Sequence, residues 1–242
     1  MIKRILDIIY PGRCVLCLQT HRPQITPELN LCTACQTDLL QVTTACYQCG
    51  IPLEDSKPGQ ICGQCLQKKP AFDRVISIYH YRDPLVWLIQ QMKFHNKPTI
   101  AHLLGRLMAN HLEHLISLKD FQKPEVIMPV PLHYKRQHKR GFNQAEEFAK
   151  IISATIGCPI DTQSIERNIS SQQQSGLDAR QRRKNVKGIF RIKNQKQLNY
   201  EHVVLIDDVM STGSTANEIA RTLKRAGVDR VDIWILARAS KH

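Results

Sequence analysis

Apolar and polar positions follow different rules in the two parts of this chain. From Lys68-Lys69-Pro70 onward they repeat with the periods of strands and helices; before that point they do not. Val75 to Tyr81 alternates as a strand, and Leu85, Leu88, Ile89 and Met92 recur at helical spacing between Pro84 and Phe94. Pro98 suits the first turn of a second helix that reaches about Ser117. Val126-Ile127-Met128 reads as a short buried strand and Gln144 to Ile156 as an amphipathic helix. Two further strands are expected at Ile160 to about Arg167 and at Gly188 to Lys193. Val203 to Asp207 is a buried strand, Ser214 to Ala226 a helix, and Val231 to Ala237 a last strand. Strands alternating with helices argue an α/β fold with a mostly parallel sheet and flanking helices.

The start of the chain reads otherwise. Met1 to Tyr10 has the pattern of a short amphipathic helix, interrupted by Asp7 and ended by Pro11. It lacks the small-residue cleavage site of a secretory signal. The longest apolar runs are about four to six residues, as at Val203 to Ile206, against about 20 for a spanning helix. A cytoplasmic protein without a membrane span is expected.

Residues 12–66 are poor in large apolar side chains but hold eight of the nine cysteines, as four Cys-x-x-Cys pairs. These are Cys14/Cys17, Cys32/Cys35, Cys46/Cys49 and Cys62/Cys65. Two thiolates on one tight turn share a metal ion, and two such turns complete the four-thiolate set of structural zinc. Fourteen residues separate the first two pairs and twelve the last two, which suits two successive ribbons. Crossed pairing and a single surviving site fit the same spacing. A disulfide framework would need an oxidising compartment, and no βαβ pattern surrounds any pair as a thioredoxin-like redox site requires. So small a unit ordinarily needs a metal staple, and its folding and zinc binding are one event. The division expected is a zinc-binding domain at 1–69 and an α/β domain at 70–242. Cys158, alone before Pro159, reads as an ordinary buried thiol.

Charge narrows the partners. Lys and Arg number 34 and Asp and Glu 21, a formal net charge of +13, which favours polyanionic partners: nucleic acid, phosphorylated metabolites or an anionic membrane surface. The excess gathers in two long polar segments: Pro129 to Asn143, with Lys135, Arg136, Lys139 and Arg140, and Ser170 to Lys187, with Arg180, Arg182, Arg183 and Lys184. Loops of this length inside a compact domain are usually functional or mobile.

The most specific chemistry lies at Val203-Val204-Leu205-Ile206-Asp207-Asp208-Val209-Met210-Ser211-Thr212-Gly213-Ser214-Thr215. An apolar strand delivers two carboxylates, a hydroxyl- and glycine-rich turn follows, and a helix begins. Ligands of α/β sheets bind beyond the carboxyl ends of strands. The helix start offers unpaired N–H groups and a partial positive charge to a phosphate. Paired acids suit a ribose diol. No Gly-Lys-Ser/Thr follows the turn and no Gly-x-Gly-x-x-Gly is present, so neither a Walker A loop nor a dinucleotide fingerprint is in play.

This stretch resembles the phosphoribosyl pyrophosphate (PRPP) signature of type I phosphoribosyltransferases. The whole chain resembles the ComF/GntX family, whose members are named competence proteins or amidophosphoribosyltransferase-like proteins. The paired cysteines carry the resemblance, with Pro129-Val130-Pro131-Leu132 … Arg140-Gly141-Phe142-Asn143-Gln144, and with Arg167 … Gln172 … Arg180 … Arg183-Lys184-Asn185-Val186-Lys187-Gly188-Ile189-Phe190. It implies a type I phosphoribosyltransferase-like sheet preceded by a small double zinc ribbon. It implies that Asp207 and Asp208 hold the ribose hydroxyls of PRPP and that Ser211, Thr212, Gly213, Ser214 and Thr215 cradle its 5′-phosphate. Val130, Pro131, Arg140, Gly141, Asn143 and Gln144 would form the pyrophosphate loop, with Arg140 as the catalytic contact. Arg167, Gln172, Arg180, Arg183 and Asn185 would belong to a loop that closes over the site. Mg²⁺ would arrive with the pyrophosphate, held mainly by ligand oxygens.

The resemblance implies a role in natural transformation, handling imported single-stranded DNA in the cytosol. Alternatives are PRPP-dependent phosphoribosyl transfer in nucleotide metabolism, or a non-catalytic scaffold for DNA-uptake or recombination proteins. No residue set specifies an acceptor. Met1 is followed by Ile2, so an N-terminal glutaminase cysteine is not expected. Aromatics are only 6% of the chain; Tyr47, Tyr134 and Phe142 are the candidates for base stacking.

Overall fold

The computed structural model describes residues 12–20, 25–26, 29–95, 97–118, 121–132, 141–167, 188–193 and 198–239. The cysteine-rich region contains β1 (Ile25–Thr26), β2 (Leu31–Cys32) and two one-turn helices, α1 (Thr33–Thr37) and α2 (Gly63–Gln67). Then come β3 (Arg74–His80), α3 (Leu85–Phe94), α4 (Pro98–Ser117), β4 (Val126–Pro129) and α5 (Gln144–Ile156). A short pair, β5 (Ile165–Arg167) and β6 (Phe190–Ile192), precedes β7 (His202–Met210), α6 (Ser214–Arg225) and β8 (Arg230–Arg238).

Four strands form one parallel sheet in the order β3-β8-β7-β4. Helices cover both faces, so the central strands are apolar on both sides, and β8 is buried from Val231 to Ala237. α3, α4 and α5 pack with Ile78, Ile127, Val204, Ile206 and Leu236 on one face. α6 packs with Val126, Val203, Leu205, Ile233 and Ile235 on the other. Local signals set the helix ends: Pro98 opens α4, and the Asn143 side chain accepts the Ala145 N–H to cap α5.

The expected strand over Ile160–Arg167 divides. Ile160 makes one parallel bridge to Ile127, and only Ile165–Arg167 becomes a strand, antiparallel to β6. Asp161 is the reason: its Oδ1 accepts the Gln163 and Ser164 N–H groups, a side-chain turn that breaks extended backbone. β7 conversely runs three residues past Asp207, because β8 pairs with it as far as Met210↔Arg238. Partner pairing overrides the poor strand propensity of the two acids.

The ribbon clasps the β3 edge of this sheet. Val42 N–H donates to Ile78 O at 2.9 Å and His80 N–H to Leu40 O at 2.9 Å, around a Gln41↔Tyr79 bridge. On one side Leu29, Leu31 and Leu39 join the core under α3–α5; on the other Cys46, Cys49, Cys65 and Phe72 join the core under α6. Gly50, at φ +68°, lies so close that a Cβ there would sit 2.6 Å from Val75 Cγ1. An edge strand's open hydrogen-bonding groups are thereby covered. No helix among the described residues is long and apolar enough to cross a membrane.

Candidate functional site

Past Ile206, burial along β7 alternates: Asp207 and Val209 are half-buried, Asp208 and Met210 buried. Adjacent strand residues face opposite sides. Asp208 points toward α3, where Lys93 Nζ lies 2.8 Å from its Oδ1. Each carboxylate also accepts the next N–H: Asp208 N–H to Asp207 Oδ1 at 2.8 Å, and Val209 N–H to Asp208 Oδ1 at 2.6 Å. Nothing in the sequence marks Lys93 as a partner of Asp208. A cation in the last turn of a helix is an ordinary complement to the helix dipole and carries no signal of its own.

The turn after β7 is shaped by Gly213, at φ +71° in the left-handed region that favours glycine. It caps α6 without any side-chain cap. The Thr212 and Ser214 hydroxyls are 2.8 Å apart, and the Ser214 N–H donates to Thr212 Oγ1 at 3.3 Å. Asn217 N–H, donating to Gly213 O at 2.9 Å, is the first full helical bond. Apart from the Ser214 N–H, the N–H groups of this first turn have no helical carbonyl to bond, and with the positive end of the helix dipole they could hold an anion. Ser211 is exposed and Thr215 half-buried.

The sheet order brings the loop after β4 alongside. Val130 N–H donates to Ile206 O at 2.9 Å, one residue before Asp207. Asn143 closes that loop: its Nδ2 donates to Val130 O at 3.3 Å while its Oδ1 caps α5. Pro131 is half-buried, Gly141 exposed and Gln144 buried. Phe142 packs on the core under α3–α5, a structural anchor rather than a free stacking ring. Arg140 and Tyr134 lie outside the described residues, as do Gln172, Arg180, Arg183 and Asn185. Arg167 ends β5, its guanidinium 5.7 Å from the Phe190 ring centre. Tyr47 is covered by the Arg74 guanidinium at 4.9 Å. An open groove of about 690 Å³, lined by Phe190, Arg191, Lys193 and Thr222, flanks the far end of α6. Thr222 is about 12 Å along the helix from Ser214, so this groove is separate from the cradle.

The eight paired cysteines converge as two sets, Cys14/Cys17/Cys32/Cys35 and Cys46/Cys49/Cys62/Cys65, each with its sulfurs within 4.8 Å of one another. Pairing is sequential, not crossed. The sets are built alike: Cys32 and Cys62 precede α1 and α2, and their N–H groups donate to Cys14 Sγ and Cys46 Sγ at 3.5 and 3.2 Å. Cys17 and Cys32 sulfurs are 3.8 Å apart, and Cys49 and Cys62 sulfurs 3.7 Å. Tetrahedral zinc at about 2.3 Å from each sulfur requires about 3.8 Å between them, so both sets fit structural zinc.

Electrostatics says the same. Burial opposes ionisation of Cys14 and Cys46, yet backbone N–H donors outweigh it and hold these thiols down to about 6 and about 7. Burial pushes Cys49 up to about 12, with the Cys46 thiolate adding to it. Cys35 and Cys65 are driven up by burial and by their thiol neighbours. A bare set therefore resists full ionisation, and a divalent cation supplies the missing balance. Cys158 is a buried thiol whose S–H donates to Pro124 O at 3.3 Å.

Residues 5–66 match the double zinc ribbon domain and residues 90–242 the phosphoribosyl transferase domain. The chain is 36% identical over 228 residues to the DNA utilization protein YhgH of Salmonella typhimurium, covering 94% of this chain and 97% of that one. It is 37% identical over 211 residues to competence protein F of Haemophilus influenzae, covering 87% and 91%. With competence protein ComFC of Bacillus subtilis it shares 24% over 229 residues, covering 88% and 89%. With both domains matched and two relatives at 36–37% identity over most of their length, the chain belongs to the competence protein F family, a double zinc ribbon joined to a phosphoribosyl transferase domain.

Proposed function

We propose that this protein binds PRPP at the end of β7 and acts on single-stranded DNA in the cytoplasm during its uptake or use. The observation that carries the reading is the end of β7, where Asp207 and Asp208 precede the left-handed turn at Gly213 that starts α6. The 5′-phosphate takes the hydroxyls and N–H groups of Ser211 to Thr215, and the carboxylates accept the ribose hydroxyls. Val130, Pro131, Gly141, Asn143 and Gln144 shape the pyrophosphate loop and Arg140 contacts the leaving group. Arg167 and the segment through Gln172, Arg180, Arg183 and Asn185 close the site.

In phosphoribosyl transfer the anomeric C–O bond to pyrophosphate breaks and a bond to the acceptor nucleophile forms. Charge on the leaving oxygens would be neutralised by Mg²⁺ arriving with the pyrophosphate. The chain's own part is to position the ribose, place cationic groups at the pyrophosphate and exclude water. Lys93 occupies Asp208 until ligand arrives, which keeps the buried carboxylate paired. The DNA partner is supported by the +13 charge and by relatives named for competence and DNA utilization. DNA-uptake or recombination proteins would be reached through the ribbon.

The test is thermal stability with and without Mg²⁺–PRPP, on wild type and on Asp207→Asn/Asp208→Asn. Ligand at 100 times its dissociation constant adds about 2.7 kcal/mol. A rise in wild type alone supports the reading; no rise in either discards PRPP as the ligand.

A further inference from the structure

We infer that the second cysteine set holds the phosphate cradle in shape, through Arg238 as a positioning residue. Arg238 ends β8. Its Nε donates to Cys49 O at 3.1 Å, and its Nη1 donates to Met210 O at 2.8 Å and to Ala239 O at 3.0 Å. Cys49 belongs to the second set, and Met210 is the last residue of β7, directly before Ser211. One guanidinium thus ties a metal knuckle to the root of the cradle.

Charge explains why an arginine stands there. Among the described residues Arg238 takes part in no ion pair with a carboxylate, although it is half-buried. Burial disfavours its charged form and pulls it below the usual guanidinium range, and the four cysteines of the second set act against that shift. Zinc with four thiolates carries about two net negative charges. The loaded set is therefore the counter-ion of Arg238, and the guanidinium is retained in position by it. Lysine keeps the charge but lacks the fork that reaches two directions at once.

A second tie runs parallel. The chain leaving α2 delivers Ala71, whose N–H donates to Asn217 Oδ1 at 2.6 Å in the first turn of α6. It also delivers Phe72, whose ring lies 3.8 Å from where a Gly213 Cβ would be. The first cysteine set packs on the opposite face of the sheet, in the core under α3–α5. The two sets are alike in ligands and unlike in reach: only the second is bonded, among the described residues, to the elements that bear the cradle.

The affinity arm of the test rests on the PRPP reading; the exchange arm does not. Amide hydrogen exchange is followed in the full zinc-loaded chain for the 206–216 segment and, as a control of global folding, for α4. Arg238→Gln is expected to raise exchange in 206–216 about tenfold, leave α4 protected, and retain wild-type zinc content by atomic spectroscopy. Cys62→Ser is expected to reproduce the effect and Cys17→Ser to leave 206–216 unchanged. Where wild type binds Mg²⁺–PRPP by calorimetry, Arg238→Gln should weaken it about tenfold. Should Arg238→Gln unprotect α4 as well, Arg238→Lys replaces it, with exchange in 206–216 still expected to rise. Wild-type exchange of 206–216 in the folded Arg238 variant, or an equal effect of Cys17→Ser and Cys62→Ser, overturns the inference. Failure of wild type to bind PRPP with the exchange differences intact overturns only the ligand assignment.

Discussion

Replacing Lys93 with methionine removes the cation that faces Asp208 but keeps the stem. The Nζ–Oδ1 distance is 2.8 Å, and the two side chains are 21% and 10% exposed. At an effective dielectric of about 20 the bare attraction is about 6 kcal/mol, most of it offset by the lost hydration of both groups. Exposed pairs are worth about 0–1 kcal/mol, and breaking a buried one costs about 3–5. This pair lies between, so Lys93→Met should cost about 2 kcal/mol. For a chain of this length that corresponds to about 4–8 °C in melting temperature. Asp208→Asn should cost about 1 kcal/mol, because Lys93 is free to turn toward solvent. The double variant isolates the pair. Denaturant unfolding of the zinc-loaded wild type, both single variants and the double variant should give a coupling of about 1.5 kcal/mol. Single effects that add to within about 0.5 kcal/mol would show that the two groups do not stabilise each other, and the reasoning would fail.

Other outcomes follow from the same geometry. Metal analysis should find two zinc ions per chain, lost as pH falls because protons compete for the thiolates, and chelation should unfold the ribbon as read by circular dichroism. Gly213→Ala forces a Cβ into left-handed backbone at 3.4 Å from Met210 Sδ; it should cost about 1–2 kcal/mol and weaken Mg²⁺–PRPP at least tenfold by calorimetry. The Asp232 carboxyl is buried, and its bonds to His202 and Arg230 outweigh burial and hold it below the usual carboxylate range. Its stabilising contribution is present above the ordinary carboxylate value and lost as pH falls through the folded one. Asp232→Asn should therefore cost about 3–5 kcal/mol at pH 7 and flatten the acid limb of the stability curve.

Much of this architecture was readable locally. Helix α5 begins where Asn143 precedes Gln144 and ends before Gly157, because capping is decided by neighbours in sequence. Each Cys-x-x-Cys pair reads directly as half a metal site, since two thiols three residues apart must share a turn. The strand, turn and helix from Val203 to Thr215 are likewise legible from their own residues. Reading failed where a competing interaction was stronger than propensity. Asp161 turned part of an expected strand into a side-chain turn, and pairing with β8 carried β7 through two acids to Met210.

The placing of these units belongs to the three-dimensional arrangement. Sequential assembly of the cysteine pairs, left open by spacing alone, was settled by which turns meet in space. The ribbon reads as a separate unit too poor in apolar residues to stand alone, yet its leucines and cysteines enter both cores across the β3 edge. Lys93 meets Asp208 across 115 residues and Arg238 meets Cys49 across 189. Periodicity, caps and metal-binding turns are set within a few bonds of backbone, so residue order alone declares them. Contacts between distant residues depend on strand order and on which face each helix covers, and those are chosen by the packing of the whole chain.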